Sequence, residues 1–296
     1  MIDMDKEKNI FYRGLESFND SNFKKIFYDP LGLLGFLLIL SLILVAIFAP
    51  LIAPYSPSDI DIANRLATPS NSHFFGTDNL GRDVFSRLVY GSRIALTVPI
   101  LTISFGIVLA IVLGLIAGYS SERVGNIFLI LFDIIKSFPA LLFAMTIIAL
   151  TGSNLFVLII IIGITRFPAY ARLIRAQTLR VKGKEYVIAA KAIGASIFKI
   201  MFKHILPNVI GPIFIQAAMD IPVAITFVAA LSFLGLGVPP PTPSWGTIIK
   251  TGYSYIRIAP WMVIFGGLVL IWATLGFTLF GEALRDNLDP RLNRQR

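Results

Sequence analysis

Residues Glu185 to Asn208 read EYVIAAKAIGASIFKIMFKHILPN. From Lys184 to Ile193 the run holds good helix formers with no Gly or Pro, which predicts a short helix. Glu185, Ala189 and Ala192 fall at i, i+4 and i+7, so one face of that helix is small and permits close backbone approach. Gly194 suits a left-handed helix C-terminus, and Ser196 suits the N-cap of a second helix. Pro207 marks the start of the next apolar run, where its missing N–H costs nothing. A basic helical loop between apolar runs has two readings. It docks another protein, or it lies on lipid headgroups, drawn there by its lysines. The lipid reading leaves unexplained why the apposed face carries alanine rather than Leu or Phe.

The surroundings of this loop set the environment. With 56% hydrophobic and 15% charged residues and a mean hydropathy of +0.78, the chain is too apolar for a soluble domain of its size. Bilayer spans of about 20 residues are expected instead. Six are predicted: Leu33–Ala53, Ile94–Tyr119, Val124–Leu150, Leu155–Tyr170, Val209–Leu234 and Pro260–Gly281. The first is too long for a signal-peptide core and follows some thirty polar residues, so it reads as a retained anchor. The chain has no cysteine, which excludes disulfides and thiolate metal sites.

Basic residues orient the array. With the N-terminus inside, cytoplasmic segments hold twenty Lys and Arg against six outside. Four of those six, Arg65, Arg82, Arg87 and Arg93, crowd one outer loop and weaken the signal. Because the charges flank spans, the net charge of +9 reads as topology and not as nucleic-acid binding. In the outer stretch from Tyr55 to Ser92, Pro57 and Pro69 argue against a continuous helix, as does Pro54 just before it. Val84, Leu88 and Val89 fall at helical spacing, and Val84 and Leu88 fit an interfacial turn leading into the second span.

Ionisable residues inside spans tend to face a cavity or a partner. Asp220 lies 13 residues past Pro207, roughly 20 Å along a helix. Two roles stay open for it: a carboxylate that lines a cavity and meets a cationic group on a bound solute, or a residue satisfied by a partner subunit or by water. Asp133 and Lys136, at i and i+3, are expected to form a local pair. No G-x-x-x-x-G-K-[ST] phosphate loop, H-E-x-x-H or G-x-S-x-G occurs. The two histidines, His73 and His204, fall on opposite sides of the membrane and read as solvated loop residues, which excludes a two-His metal site within the chain. No cofactor, metal or catalytic residue is therefore expected.

Five stretches carry a resemblance: FYDPLGLLG (27–35), FFGTDNLGRDVFSRLVYGSRIAL (74–96), the coupling loop with Ala189-Ala190, Gly194 and Leu206-Pro207, LSFLGLGVPPPTPSWGTII (231–249) and LRDNLDPRL (284–292). In this order they are similar to the permease subunits of ABC importers. The nearest branch is the C-type membrane subunit of di- and oligopeptide importers, which also includes nickel importers. The resemblance runs from Asp29 to Arg291. It implies that the loop docks into a cleft on an ATPase subunit, with Glu185, Tyr186, Ala189, Ala190, Ala192, Gly194 and Ala195 as contacts. It also implies as partners a second permease, two ATPase subunits, an extracytoplasmic substrate-binding protein and the lipid bilayer, with no nucleic acid. Asp220 and Thr226 are candidate pathway residues in the fifth span.

Four positions depart from the pattern. Ile188 stands where Glu is general, and His204 where Ile is usual. Phe227-Val228 replace an acidic position, and Phe265-Gly266 replace Pro-Gly. The expected fold class is all-α, a polytopic membrane protein with six transmembrane helices and a cytoplasmic helical coupling loop. Its parts are a cytoplasmic segment 1–32, a first transmembrane helix 33–53, an outer loop 54–93, a five-helix core 94–283 with coupling loop 171–207, and a cytoplasmic tail 284–296. The expected protein sits in the cell (inner) membrane with both termini cytoplasmic and leaves ATP hydrolysis to partners. Peptide is the expected cargo over nickel, because the family that the chain resembles is mostly peptide-specific and because the spans lack a His, Cys or Met cluster for a soft or borderline metal. Nickel or another small solute, or an ion-gradient-driven carrier, are the alternatives.

Overall fold

The computed structural model describes residues 27–288, which form helices joined by turns with no strand. Most of the expected segments 1–32 and 284–296 lies outside the described residues. Nine helices carry the architecture: α1 (Pro30–Ile47), α2 (Val84–Tyr119), α3 (Glu122–Ser137), α4 (Ala140–Thr151), α5 (Leu155–Val181), α6 (Glu185–Ala192), α7 (Leu206–Phe233), α8 (Trp245–Ser254) and α9 (Trp261–Leu288). Five helical segments are long and apolar enough to cross a bilayer, or six if the bent pair α3–α4 counts as one span.

Small residues build the centre. Gly106, Ala110, Gly114 and Gly118 recur every four positions on one face of α2. A Cβ at Gly114 would fall 2.8 Å from the Ala171 carbonyl oxygen, and one at Gly118 would fall 2.6 Å from Thr178 Cβ. The α2 and α5 backbones therefore approach as closely as side chains allow, the packing that helices use where lipid offers no hydrophobic drive. The first and last spans meet by the same device, since a Cβ at Gly35 would sit 2.5 Å from the Phe280 amide nitrogen. Outward faces keep large apolar side chains exposed, among them Leu37, Leu44, Val108, Ile127 and Ile271.

Two spans differ from expectation. The third is not straight: α3 and α4 meet at 80°. Pro139 disfavours the helical region for Phe138, which takes φ −84° and ψ 133°. The fourth does not stop at Tyr170 but runs on through Arg172, Arg175 and Arg180 to Val181. Asp133 also finds a different partner, pairing with Arg172 of α5 instead of Lys136.

At one end of the bundle the chain between α1 and α2 folds into a polar knot. The Asp78 carboxylate accepts from the Leu80 amide at 2.8 Å and from Arg82 Nε at 2.8 Å. Asp83 N-caps α2, accepting from the Ser86 amide at 2.7 Å, and its other oxygen lies 3.0 Å from His73 Nδ1. His73 is thus a mostly buried partner of that cap, with a side chain 13% exposed, and not a solvated loop residue. Indoles clamp the knot: Trp261 Nε1 donates to the Thr77 carbonyl at 3.2 Å and Trp245 Nε1 to that of Leu88 at 2.9 Å. Val84, Leu88 and Val89 are buried beneath it. They pack inside the chain, not at a lipid interface. Phe265, one of the departures, stacks on Phe75 with ring centres 3.9 Å apart.

Candidate functional site

The coupling segment emerges at the opposite end. The knot grips α2 near Leu88, and Lys182 Nζ reaches the Gly118 carbonyl of the same helix at 3.0 Å. Thirty helical residues, about 45 Å, separate those two anchors. Helix α6 carries Glu185 in its first turn and Lys191 in its last, each favourable to the helix dipole. It ends as predicted on Gly194, with φ +79°. The Ala195 amide donates to the Ala190 carbonyl at 3.0 Å and the Gly194 amide to that of Lys191 at 3.1 Å, a Schellman closure. Ser196 then caps the next turn, its hydroxyl accepting from the Lys199 amide at 3.3 Å. A π-helical stretch, Ile200–Ile205, carries the chain into α7.

The named contact residues divide between two faces. Glu185, Ala189, Ala192 and Gly194 are exposed, whereas Tyr186 and Ala195 are half-buried. Ala190 is turned inward and joins the core cluster with Val187, Ile200 and Ile205. Partial burial pushes the Tyr186 hydroxyl pKa up. Four residues outside the expected set ring the small face: Ile188, Ile193, Ile197 and Phe198, with Ile193 85% exposed. Their signal in the sequence was the placing of large apolar side chains at solvent-facing helical positions in a loop otherwise rich in lysine. Among the described residues, the segment therefore presents an exposed, small, apolar-rimmed surface.

In the fifth span the two candidate pathway residues separate. Asp220 is buried, and Gln216 Nε2 donates to its Oδ1 at 3.4 Å. The fully buried Tyr170 hydroxyl approaches Asp220 without full hydrogen-bond geometry, and Arg166 lies near the same hydroxyl. Gln216 and Tyr170 of this chain therefore flank the carboxylate. Six residues on, about 240° around the helix, Thr226 is exposed and borders an apolar groove of about 320 Å³. Phe227, the departure from an expected acid, sits with its ring 5.9 Å from the Arg166 guanidinium. A cation–π contact stands there where a carboxylate was expected.

Comparison with known proteins gives two family matches. Residues 110–294 match the profile of "Binding-protein-dependent transport system inner membrane component". Residues 19–69 match "N-terminal TM domain of oligopeptide transport permease C". Among curated relatives, the chain is 40% identical to the dipeptide transport system permease protein DppC of Alkalihalophilus pseudofirmus, covering 91% of this chain and 89% of that one. It is 40% identical to the di/tripeptide transport system permease protein DppC of Pseudomonas aeruginosa, covering 87% of each. Identity to the oligopeptide transport system permease protein OppC of Bacillus subtilis is 36%, over 90% of this chain and 87% of that one.

Proposed function

The chain belongs to the family of binding-protein-dependent transport system inner membrane components, and from that premise we propose that it forms one half of the pathway of an ATP-driven peptide importer. A second permease supplies the other half, and two ATPase subunits sit on the cytoplasmic side. An extracytoplasmic binding protein delivers di- or oligopeptides, the cargo named for the relatives. Both termini and α6 face the cytoplasm, and the knot faces outward. The boundaries are those of an inner segment 1–32, a first helix 33–53, an outer loop 54–93, a core 94–283 and a tail 284–296.

What most supports this reading is the exposed surface of α6 at one pole of the bundle. Glu185, Tyr186, Ala189, Ala192, Gly194 and Ala195 seat in a cleft of the ATPase, and Ala190 holds the helix to the bundle. Closure of the ATPases on ATP swings α6. The motion passes through the continuous helix of the π segment and α7, opening the pathway outward, and hydrolysis resets it. Thr226 lines the pathway. Asp220, compensated within the chain, acts as a polar anchor between α5 and α7.

Coexpression with the partner subunits and assay in nanodiscs tests the proposal. Hydrolysis should rise when peptide and binding protein are added together, and the isolated chain should bind no nucleotide. Nucleotide binding by the pure chain, or stimulation that survives bulky substitution across α6, overturns it.

A further inference from the structure

A cavity of about 260 Å³ opens at the pole opposite α6, among residues of the knot, the turn after α7 and helix α8. Arg82, Arg87 and Lys250 line it, and among the described residues no Asp or Glu does. Behind its wall Asp78 lies 2.8 Å from Arg82 Nε and 3.6 Å from Arg87 Nε. One carboxylate against two guanidiniums leaves positive charge over. Lys250 adds more, because among the described residues it has no carboxylate within ion-pair distance. Its ammonium sits over Gly235, where a Cβ would fall 2.4 Å from Nζ.

Two buried groups on the same wall lack a hydrogen-bond partner. One is Arg87 Nε, on a side chain 7% exposed, and the other is Ser232 Oγ, on a residue with no exposed surface. With three cationic side chains at its wall and one carboxylate behind two of them, the cavity suits an anionic group that enters from outside. A carboxylate fits it, with about four lone-pair sites and a planar match to guanidinium. The volume is below the roughly 300–1,000 Å³ of pockets that enclose a whole small-molecule ligand, so it admits a chain end and not an oligopeptide.

We propose that this cavity binds the C-terminal carboxylate of the arriving peptide. The inference rests on the peptide cargo and the orientation proposed above. It makes the outer mouth of the permease a reader of the free chain end, ahead of the pathway itself.

The test uses the complex in nanodiscs without binding protein, with N-acetylglycine and N-acetylglycinamide as probes in saturation-transfer NMR titrations. The acid should bind at least about tenfold more tightly than the amide, or about 1.4 kcal/mol. Lys250→Gln should remove about that factor and Lys250→Arg should restore most of it. Lys250 is exposed, so neither variant threatens folding. Equal binding of acid and amide, or acid binding unchanged in Lys250→Gln, overturns the site. A second arm adds binding protein loaded with a tripeptide acid or its amide. Lys250→Gln should lower stimulated hydrolysis for the acid alone, and equal loss for both would assign the site to the binding protein and overturn the cargo assignment. If no peptide stimulates the wild-type complex while N-acetylglycine still binds, the importer reading fails and the site stands.

Discussion

Gly81 in the knot and Gly194 in the coupling segment share a left-handed backbone, with φ +76° and +79°, but for different reasons. A Cβ at Gly81 would fall 1.6 Å from the Asp61 carbonyl oxygen, whereas nothing lies within 4 Å of one at Gly194. The first glycine is fixed by torsion and by space, the second by torsion alone. The same contrast runs through both poles. The knot closes buried carboxylates, indoles and arginines on one another. The coupling segment keeps its backbone capped and leaves the outward face of its helix exposed. One pole is built to hold a shape, and the other keeps an exposed surface.

Breaking the knot at its centre should cost the most stability. Asp78→Ala leaves Arg82 and Arg87 without their carboxylate and should destabilise the fold by about 3–5 kcal/mol, the range for an uncompensated buried charge. Thermal unfolding in detergent reads the change. A loss below about 1 kcal/mol would show that the knot is an ornament on the bundle and erase the contrast between the poles.

The two glycines give the next test. Gly81→Ala should cost about 3 kcal/mol, from torsional strain plus a backbone clash. Gly194→Ala should cost about 1–2 kcal/mol, from torsion only. Equal losses would mean that the knot relaxes around a methyl group. Ala189→Trp should move stability by no more than about 0.5 kcal/mol, as an exposed substitution does. It should nevertheless abolish peptide-stimulated hydrolysis in the assembled complex. Full stimulation in that variant would place the exposed face of α6 against lipid.

How much of this was legible in the sequence follows from the range of the forces involved. The helix stop at Gly194 and the cap at Ser196 are local, so spacing alone revealed them. Spans were legible because twenty apolar residues have few other uses. The bend at Pro139 could have been read from the restriction proline places on Phe138, but continuous hydropathy hid it. The four arginines between Arg65 and Arg93 blurred the charge pattern because each has a structural use that only tertiary contacts reveal. Arg65 meets Tyr255, Arg82 and Arg87 share Asp78, and Arg93 Nε donates to the Ala46 carbonyl at the C-terminus of α1 at 2.8 Å. Asp133 was matched to Lys136 by proximity along one helix, yet its partner Arg172 comes from another. The burial of Ala190 beside the exposed Ala189 is a matter of helical phase. Periodicity could give that phase only once it was known which side faces the bundle.

The smallest effect lies at the rim of the knot. Asn64 Nδ2 donates to Asp61 Oδ2 at 2.7 Å, and the Ala63 amide donates to Oδ1 at 3.1 Å. The Asn64 bond is the largest of the influences that hold the carboxyl below its ordinary 3.8, with backbone donors adding to it. A carboxyl depressed in the folded state stabilises it above the unfolded pKa, and that contribution is lost as pH falls through the folded value. Wild type should therefore melt slightly above Asp61→Asn from neutral pH down to about 4, and the gap should close at more acid pH. The residue is fully exposed, so the gap is small and water screens it. Tryptophan fluorescence reports it, because Trp261 donates to the Thr77 carbonyl inside the knot. A gap that persists unchanged into strong acid would mean that Asp61 acts only by forming the turn at Ile62–Asn64. The rim would then be held as the coupling segment is, by backbone geometry and without charge.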